Sequence, residues 1–388
     1  MYPKVRFRGF DEPWKKVKLG QIADVRDGTH ESPKYVSQNG YPLITSKNLE
    51  NGTINFDDIS YISKKDYEEI NKRSLVEKND ILFGMIGTIG NVAIVKKSGF
   101  AIKNVALIKS NSEIPSINLI QIIQSDILKK YTNRLNSGNS QKFISLGDIR
   151  KFDFKMASKS ENMLISKLFK KVDTLLSLQQ RKLELEKQLK KFCLQNILSD
   201  NKKCPNLRFH DFSTNWKKVK VGDIFTVTRG KVLSKDKISK TKDHIMKYPV
   251  YSSQTLNNGL LGYYHDYLFE DAITWTTDGA NAGTVRLRAG KFYGTNVNGV
   301  LLSKNGYVND ANAEALNQIA WKYVSKVGNP KLMNNVMQNI MFSIAPSVEE
   351  QVIISKLFIL HSKSLKIYQA NINVYTQLKQ FLLQNLFI

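Results

Sequence analysis

The segment Trp14-Lys15-Lys16-Val17-Lys18-Leu19-Gly20 returns 202 residues later as Trp216-Lys217-Lys218-Val219-Lys220-Val221-Gly222. The residues upstream repeat at the same offset, since residues 3–7 read PKVRF and residues 205–209 read PNLRF. An internal repeat of this length indicates that the chain contains two copies of one structural unit.

A second block repeats at a different offset. The sequence ISKLF at residues 165–169 returns at residues 354–358, which lie 189 residues further along the chain. Because both blocks recur in the same order, each copy is predicted to be a variable globular domain followed by a helix. The predicted boundaries are 1–160 for the first globular domain, 161–200 for a central spacer helix, 201–348 for the second globular domain and 349–388 for a C-terminal spacer helix.

The two spacer segments have the pattern of long amphipathic helices. Residues 161–198 contain no proline or glycine and place apolar side chains every three to four residues. A helix of about 38 residues is roughly 55 Å long and needs another helix to cover its apolar stripe. We therefore expect the two helices to pack as an antiparallel coiled coil with a pseudo-twofold relation. The residues predicted to pair them are Ile165, Leu168, Val172, Leu175, Leu189, Ile354, Leu357, Tyr368, Leu378 and Leu382.

The globular segments contain short β-branched and aromatic runs separated by glycine-containing turns, which indicates strands. Strands are predicted at 79–83, 91–95, 105–108, 271–275, 283–287 and 297–301. One helix is predicted in each domain, at 117–135 and 311–327. The predicted fold class is α+β, with two strand-rich domains joined by two long helices.

The chain is strongly basic. Its 388 residues include 58 Lys and Arg against 34 Asp and Glu, which gives a formal net charge of +24, while 41% hydrophobic residues exclude a disordered chain. Residues 1–160 and residues 200–348 each carry nine excess positive charges, which suits several phosphate contacts per domain. Nucleic acid is therefore the favoured partner. The alternative is a lysine-rich codon bias, which does not by itself predict so even a division.

Other features limit the class of protein. Cys193 and Cys204 are too few for a disulfide framework, which favours a reducing, cytoplasmic compartment. No run approaches the ~20 apolar residues of a membrane helix, and residues 1–10 lack the apolar segment of a signal peptide. The five histidines have no neighbours at metal-binding spacing. We expect a cytoplasmic protein without a metal site or membrane anchor.

Several motifs occur in a characteristic order. They are the WKKVK opening of each half, Gly28-Thr29, Arg229-Gly230-Lys231, residues 248–253 (YPVYSS), residues 276–283 (TTDGANAG) and residues 346–351 (PSVEEQ). Together they resemble the specificity subunit of a type I restriction-modification system, over essentially the whole chain. The first helix entry departs from the pattern, because residues 160–162 read SEN where residues 349–351 read EEQ.

The resemblance implies a division of labour. Each globular domain would be a target recognition domain that reads one half of a bipartite double-stranded DNA site, and the helices would set the spacing and dock two methyltransferase subunits. The chain would be non-catalytic alone and hold no cofactor. The methyltransferase subunits would bind S-adenosylmethionine and flip an adenine, and restriction subunits would use ATP and Mg.

Candidate DNA-binding residues are polar or basic side chains on turn segments. Arg, Asn, Gln, Ser and Thr can pair with base edges, whereas Lys mostly contacts phosphate. The candidates are Arg26, Thr29, His30, Lys47, Asn139, Ser140, Gln141 and Lys142 in the first domain, and Arg229, Lys231, Ser252, Ser253, Gln254, Asn281, Arg286 and Arg288 in the second. Trp14 and Trp216 are expected to be core anchors.

Three alternative functions are considered for this sequence. A type IIB system also uses a specificity subunit, and a duplicated scaffold could bind proteins instead of DNA. A stand-alone restriction enzyme would require methyltransferase and nuclease motifs, and the sequence shows neither. The glycine-rich turns at 84–90 and 279–283 do not have the form of a nucleotide-binding loop.

Overall fold

The structure is a computed structural model that describes residues 2–50, 52–87, 89–135, 143–198, 204–253 and 256–387, without the side chain of Leu256. The chain divides into two compact units. Unit 1 comprises Met1–Gln180 and Ala370–Ile388, and unit 2 comprises Arg181–Gln369. Each unit therefore contains one globular domain and part of both long helices.

Unit 1 is a mixed α+β structure with small antiparallel and mixed sheets. Its strands are β1 (Lys15–Lys18), β2 (Val25–Asp27), β3 (Tyr41–Ile44), β4 (Leu49–Glu50), β5 (Thr53–Ile54), β6 (Ser60–Ile62), β7 (Ile81–Gly84), β8 (Val92–Ile94), β9 (Ala101–Ile102), β10 (Val105–Ile108) and β11 (Asp153–Met156). Its helices are α1 (Leu19–Ile22), α2 (Lys64–Ser74), α3 (Ser116–Gln124), α4 (Asp126–Leu135), α5 (Leu146–Lys151) and the first part of α6 (Lys159–Ile197).

The core of unit 1 lies between its main sheet and its helices. The sheet has the order β2-β10-β7-β8, and β3 pairs with β6 and β9 beside it. Strands β7 and β10 are buried along their whole length, which explains their unbroken apolar sequences. The helix predicted at 117–135 is two helices, α3 and α4, because the chain is extended at Ser125 between them.

Unit 2 repeats this plan with a larger sheet. Its strands are β12 (Lys217–Lys220), β13 (Thr226–Arg229), β14 (Tyr248–Tyr251), β15 (Leu260–Tyr264), β16 (Phe269–Thr276), β17 (Val285–Gly294), β18 (Asn298–Leu302) and β19 (Met341–Ile344). Its helices are the rest of α6, α7 (Val221–Ile224), α8 (Asp310–Ile319), α9 (Asn334–Asn339) and the first part of α10 (Val348–Asn385). The six-stranded sheet has the order β13-β18-β16-β17-β14-β15.

The prediction of one helix over 311–327 is wrong in its second part. Helix α8 ends at Ile319, and a 3-10 turn follows over Ala320–Tyr323. Ser325 and Lys331 then form an isolated antiparallel bridge. The break reflects the β-branched residues Val324 and Val327 and the Gly328-Asn329-Pro330 turn, which disfavour a continuous helix.

The repeated WKKVK segments have the same role in both units. Strand β1 pairs antiparallel with β11, and β12 pairs antiparallel with β19. In each case the last strand of the domain leads into a long helix, α6 or α10. The first and last strands therefore close each globular domain at the point where its helix begins.

A buried ion pair joins the start of each domain to the start of its helix. Arg6 Nε and Nη2 donate to the two carboxylate oxygens of Glu161 at 2.9 Å, and Trp14 Nε1 donates to Glu161 at 3.1 Å. Glu161 is only 1% exposed, so its charge depends on these donors. The hydrogen bond that Arg6 donates to Glu161 raises the pKa of Arg6 above its ordinary value. We call Arg6, Trp14 and Glu161 the unit 1 clamp.

Unit 2 contains the same arrangement, which we call the unit 2 clamp. Arg208 Nε and Nη2 donate to the two carboxylate oxygens of Glu350 at 2.8 Å. Trp216 Nε1 donates to Glu350 at 3.2 Å, and Glu350 is fully buried. The prediction that both tryptophans are core anchors is confirmed, since each is 7% exposed.

Both long helices contain a heptad series of buried or half-buried positions, which we call the covered stripe, and other residues such as Leu168 and Leu357 are half-buried beside it. The positions of the stripe alternate spacings of four and three residues, which is the period of a coiled-coil seam. In α6 they are Ile165, Phe169, Val172, Leu176, Gln179, Leu183, Glu186, Lys190, Cys193 and Ile197. In α10 they are Ile354, Phe358, His361, Leu365, Tyr368, Ile372, Tyr375, Lys379 and Leu382.

The predicted pairing set is therefore wrong at three positions. Leu175, Leu189 and Leu378 are 39–49% exposed and lie outside the covered stripe. Ile165, Val172, Ile354 and Leu382 are buried, and Leu168, Leu357 and Tyr368 are half-buried. The apolar pattern does not predict which face of each helix is covered, because polar side chains occupy central positions of the covered stripe.

Polar contacts show how the helices pair within each unit. In unit 1, Lys379 Nζ lies 2.8 Å from an Asp173 carboxylate oxygen, and Asn371 donates to Gln179 at 3.4 Å. In unit 2, His361 Nδ1 lies 2.5 Å from a Glu186 carboxylate oxygen. Within unit 1 the residue number falls along α10 as it rises along α6, so the helix segments there are antiparallel. Within the described residues, no helix has an apolar segment able to span a bilayer.

Candidate nucleic-acid interface

A glycine turn brings two backbone segments of unit 2 into close contact. Gly230 N donates to the carbonyl of Asn298 at 2.9 Å, and Lys231 N donates to that of Gly294 at 3.0 Å. A Cβ atom on Gly230 would lie 2.1 Å from the Gly294 carbonyl oxygen. Only glycine fits this position, because any side chain would overlap the neighbouring backbone.

Unit 1 contains the equivalent turn. Gly28 N donates to the carbonyl of Val105 and Thr29 N to that of Ile102, both at 3.0 Å. A Cβ atom on Gly28 would lie 2.2 Å from the Ile102 carbonyl oxygen. The duplication therefore extends to the segments that carry the candidate DNA-binding residues.

Replacing Gly230 by alanine is expected to destabilise unit 2 by at least about 2 kcal/mol, because the backbone must separate to admit the methyl group. Gly294→Ala is the matched control, since its Cβ would find nothing closer than the Phe269 ring at 3.6 Å. Urea unfolding of both variants checks the prediction. Equal stability of the two variants would contradict it.

The candidate residues of unit 2 form a connected surface. Arg229 Nη2 donates to the carbonyl of Asn296 at 2.6 Å. Lys231 forms a parallel bridge with Thr295, whose N donates to the carbonyl of Tyr251 at 3.0 Å. Arg229 and Lys231 are exposed beside these backbone contacts. The turn that precedes β18 thus connects the end of β13 to the end of β14.

Arg288 is a buried cation in this surface. Its guanidinium lies 3.7 Å from the centre of the Tyr251 ring, and it donates to Thr274 Oγ1 at 3.2 Å and to the carbonyl of Asn258 at 2.8 Å. Arg288 is 8% exposed, and burial lowers its pKa to about 10. Removal from water disfavours the charged form, so a nearby phosphate would stabilise this guanidinium.

The two arginines of β17 hold a turn with left-handed backbone. Asn257 and Asn258 have φ values of 48° and 56°, a conformation that asparagine tolerates better than most residues. Arg286 Nη1 donates to the side-chain oxygen of Asn258 at 2.7 Å, and Arg288 donates to its carbonyl. Asn257 itself is exposed. Its amide is suited to pairing with adenine.

The turn at 276–283 completes the surface in unit 2. Asn281 Nδ2 donates to the carbonyl of Ser253 at 3.3 Å. Ser252 and Ser253 are half-buried just beyond β14. Of the predicted residues in separate segments of unit 2, Asn281 and Ser253 are therefore in direct contact. The others are connected through the intervening residues Tyr251, Asn258, Thr295 and Asn296.

In unit 1, the predicted residues Thr29 and His30 contact Asn104. His30 Nδ1 lies 2.8 Å from the side-chain oxygen of Asn104, and His30 Nε2 lies 2.9 Å from an Asp27 carboxylate oxygen. Asn104 N donates to the carbonyl of Thr29 at 3.1 Å. Ser46, next to Lys47, donates its hydroxyl to the carbonyl of Asn104 at 3.1 Å.

The two surfaces differ in how their charges are neutralised. In unit 1, Arg26 pairs with Asp24 at 2.7 Å and Lys47 with Asp58 at 3.0 Å, and Asp27 also contacts Arg73. In unit 2, four cations form no ion pair with a carboxylate of the described residues; they are Arg229, Lys231, Arg286 and Arg288. The unit 2 surface is thus the better prepared for an anionic partner.

Some predicted residues lie outside the described residues, namely Asn139, Ser140, Gln141, Lys142 and Gln254. Three asparagines that organise the site are absent from the residues predicted from sequence, namely Asn104, Asn257 and Asn258. Asparagine next to lysine or glycine between two strands was the available signal for a left-handed turn. Among the described residues, no group of His, Cys, Asp and Glu is arranged to hold a metal ion.

The fold and the site define a class of duplicated two-domain proteins. Each domain is rich in strands, carries a glycine turn and is followed by a long helix. The family follows from the sequence, because the model of the type I restriction modification DNA specificity domain matches residues 11–187 and 213–374. The chain belongs to this family.

Two relatives of similar sequence agree with this assignment. A putative type I specificity subunit of Mycoplasma pneumoniae is 42% identical over 127 residues, which cover 32% of this chain and 66% of the relative. The MpnII specificity subunit of the same organism is 37% identical over 141 residues, or 36% of this chain and 42% of that one. The chain thus matches less than two thirds of the length of these relatives.

The fold is shared with a solved protein. The crystal structure of a type I restriction-modification S subunit from M. genitalium has a TM-score of 0.68 and 17% identity, and the match covers 100% of this chain and 99% of that one. The prediction of an α+β fold with two strand-rich domains and long helices is confirmed.

Proposed function

We propose that this chain is the DNA sequence-recognition subunit of a type I restriction-modification complex. Each globular domain would read one half of a bipartite site, and the chain alone would catalyse no reaction. The duplicated glycine turn carries the proposal, because it presents one set of polar and basic side chains in each unit. The two sets differ in sequence, as two different half-sites require.

The helices offer a surface for methyltransferase subunits. Outside the covered stripes, apolar side chains recur every seven residues and are 45–59% exposed; they are Leu178, Leu185 and Phe192 on α6 and Ile367, Val374 and Phe381 on α10. The two sets are related by the 189-residue offset of the repeat. A repeated apolar stripe suits two copies of one partner, since exposed apolar rows mark protein interfaces.

The proposed partners would supply the chemistry. The methyltransferase subunits would bind S-adenosylmethionine and flip the target adenine out of the duplex. Restriction subunits would join through them and use ATP and Mg. The role of this chain would be to bring those subunits to a defined sequence and to fix the gap between half-sites through its helices.

Arg229→Ala and Arg286→Ala are each expected to weaken recognition of one half-site by about 1–3 kcal/mol while leaving the sequence of the other half unchanged. Each variant is introduced into its own strain, and methylation sequencing then shows the sequence recognised at both half-sites. Arg26→Ala is the matched variant for unit 1 and is expected to affect the opposite half. Equal loss at both halves would contradict independent reading by the two domains.

The alternatives make different predictions in simple experiments. A protein-binding scaffold would not lose DNA affinity steeply with rising salt, whereas a DNA reader in complex with its methyltransferase should. A type IIB specificity subunit would have a different set of neighbouring genes. The four unneutralised cations of unit 2 favour the DNA reader over the scaffold.

A further inference from the structure

A short hairpin projects from unit 2 at residues 325–331. Ser325 N donates to the carbonyl of Lys331 at 2.9 Å, and Lys331 N donates back to that of Ser325 at 3.1 Å. Gly328 turns the chain with a φ of +68°. Val327, just before this glycine, is 91% exposed. Two reciprocal backbone hydrogen bonds therefore close a hairpin that has an exposed apolar side chain at its tip.

The hairpin is anchored to the candidate interface of unit 2. Gly279 N donates to the carbonyl of Pro330 and Leu332 N to that of Thr277, both at 2.9 Å. These bonds attach the hairpin to the same turn whose Asn281 contacts the segment after β14. The buried indole of Trp275 donates to the carbonyl of Leu332 at 3.0 Å. The hairpin is thus a fixed extension of that surface.

The composition around the hairpin points to an anionic partner with an apolar groove. Residues 321–331 read WKYVSKVGNPK and contain three lysines and no acid. Lys331 lies 3.8 Å from Asp278, whereas Lys322 and Lys326 are exposed and form no ion pair within the described part of the chain. Trp321, Tyr323 and Val327 are exposed apolar side chains of the same segment, and exposed apolar patches bordered by polar residues mark interaction sites. They match a duplex, because minor-groove binders combine inserted apolar side chains with Lys and Arg.

We propose that the hairpin and the 3-10 turn before it (Ala320–Tyr323) form a second DNA contact of unit 2, in which Val327 enters the minor groove and Lys322 and Lys326 bind the phosphates beside it. The inference rests on the proposed function and extends it to a segment outside the predicted reading residues. Valine has no polar atom that could distinguish base edges. The hairpin therefore adds affinity and fixes position without adding sequence preference.

The test uses the complex of this chain with its methyltransferase and a duplex that carries the site mapped by methylation sequencing. The variant Lys322→Ala/Lys326→Ala/Val327→Ser removes the tip and both cations. The matched control is Lys240→Ala/Lys242→Ala/Ile245→Ser, which makes the same changes in another exposed segment of unit 2. Fluorescence anisotropy measures the dissociation constant between 50 and 200 mM salt, and thermal melting checks folding.

The hairpin variant is expected to lose two phosphate contacts, which reduces the slope of log affinity against log salt by about 1.8. Its loss of affinity should consequently be about tenfold larger at 50 mM than at 200 mM salt. Val327→Ser alone should weaken binding with an unchanged slope. The methylated sequence should stay the same in every variant, and the control should bind like the wild type.

An unchanged slope and affinity in the hairpin variant would overturn the inference while leaving the proposed function intact. Equal losses in the control variant would also overturn it, because any two lysines would then suffice. Loss of methyltransferase binding with normal DNA affinity would assign the hairpin to a protein partner instead. If the wild-type complex recognised no bipartite site, the proposed function itself would fail, and the hairpin inference with it.

Discussion

Glu350→Ala is expected to lower the free energy of unfolding of unit 2 by about 3–5 kcal/mol. The substitution leaves the guanidinium of Arg208 without its only carboxylate partner among the described residues, at a position where the arginine side chain is 12% exposed. It also removes the acceptor of the Trp216 indole. Both losses act at the point where the domain meets α10.

Hydrogen exchange followed by mass spectrometry measures this effect unit by unit. Faster exchange is expected throughout unit 2, whereas unit 1 should keep its protection. Glu349→Ala is the matched control, because Glu349 is the exposed neighbour of Glu350, and surface substitutions usually change stability by less than about 0.5 kcal/mol. Similar losses in both units would contradict independent clamps.

A double substitution separates the contribution of the buried charges to the free energy of unfolding from that of side-chain packing. Arg208→Met with Glu350→Leu is expected to recover part of the stability, because well-packed apolar residues can replace a buried ion pair, whereas the Trp216 indole still lacks its acceptor. The corresponding changes at Arg6 and Glu161 should act on unit 1 alone. The role of each clamp would then be to fix the orientation of a globular domain relative to the start of its long helix.

The clamps show what the sequence could and could not predict. Arg6 and Trp14 repeat at Arg208 and Trp216 with one offset, whereas Glu161 repeats at Glu350 with another. Each half of the clamp was therefore visible as a repeat. Their contact was not, because 155 residues separate Arg6 from Glu161 and no local pattern links them.

The helix phase illustrates a different limit. The existence of two long helices follows from their composition, but Leu175, Leu189 and Leu378 were chosen for the pairing stripe because leucine is apolar. The structure instead covers Gln179 and Glu186, which find partners in Asn371 and His361. A polar residue in a seam is stable only with such a partner, and the partner lies on the other helix.

The candidate interface could be predicted only in part, because many of its residues find their partners on distant segments. Glycine turns and arginines on strands are visible in sequence, and in unit 2 the predicted Asn281 and Ser253 are in contact. Asn104 and Asn258 have left-handed backbone, and they contact His30, Arg286 and Arg288 from other segments. These contacts join distant segments, so no sequence period reveals them.

Lengthening both helices by one heptad is expected to widen the gap between the recognised half-sites by about three base pairs. Seven residues add roughly 10.5 Å of helix, and the duplex rises 3.4 Å per base pair. The insertions belong between Gln179 and Glu186 in α6 and between His361 and Asn371 in α10, and both must keep the alternating four-and-three spacing of covered positions. The half-site sequences should be unchanged, because neither domain is altered.

Methylation sequencing reads the gap directly from the modified sites. A four-residue insertion at the same places is the matched control, because it rotates the covered stripes out of register and should abolish methylation instead of resetting the gap. An insertion in α6 alone should also fail, since its added turn has no partner in α10. A lengthened protein that kept the original gap would contradict the proposal that the helices determine the spacing of the site.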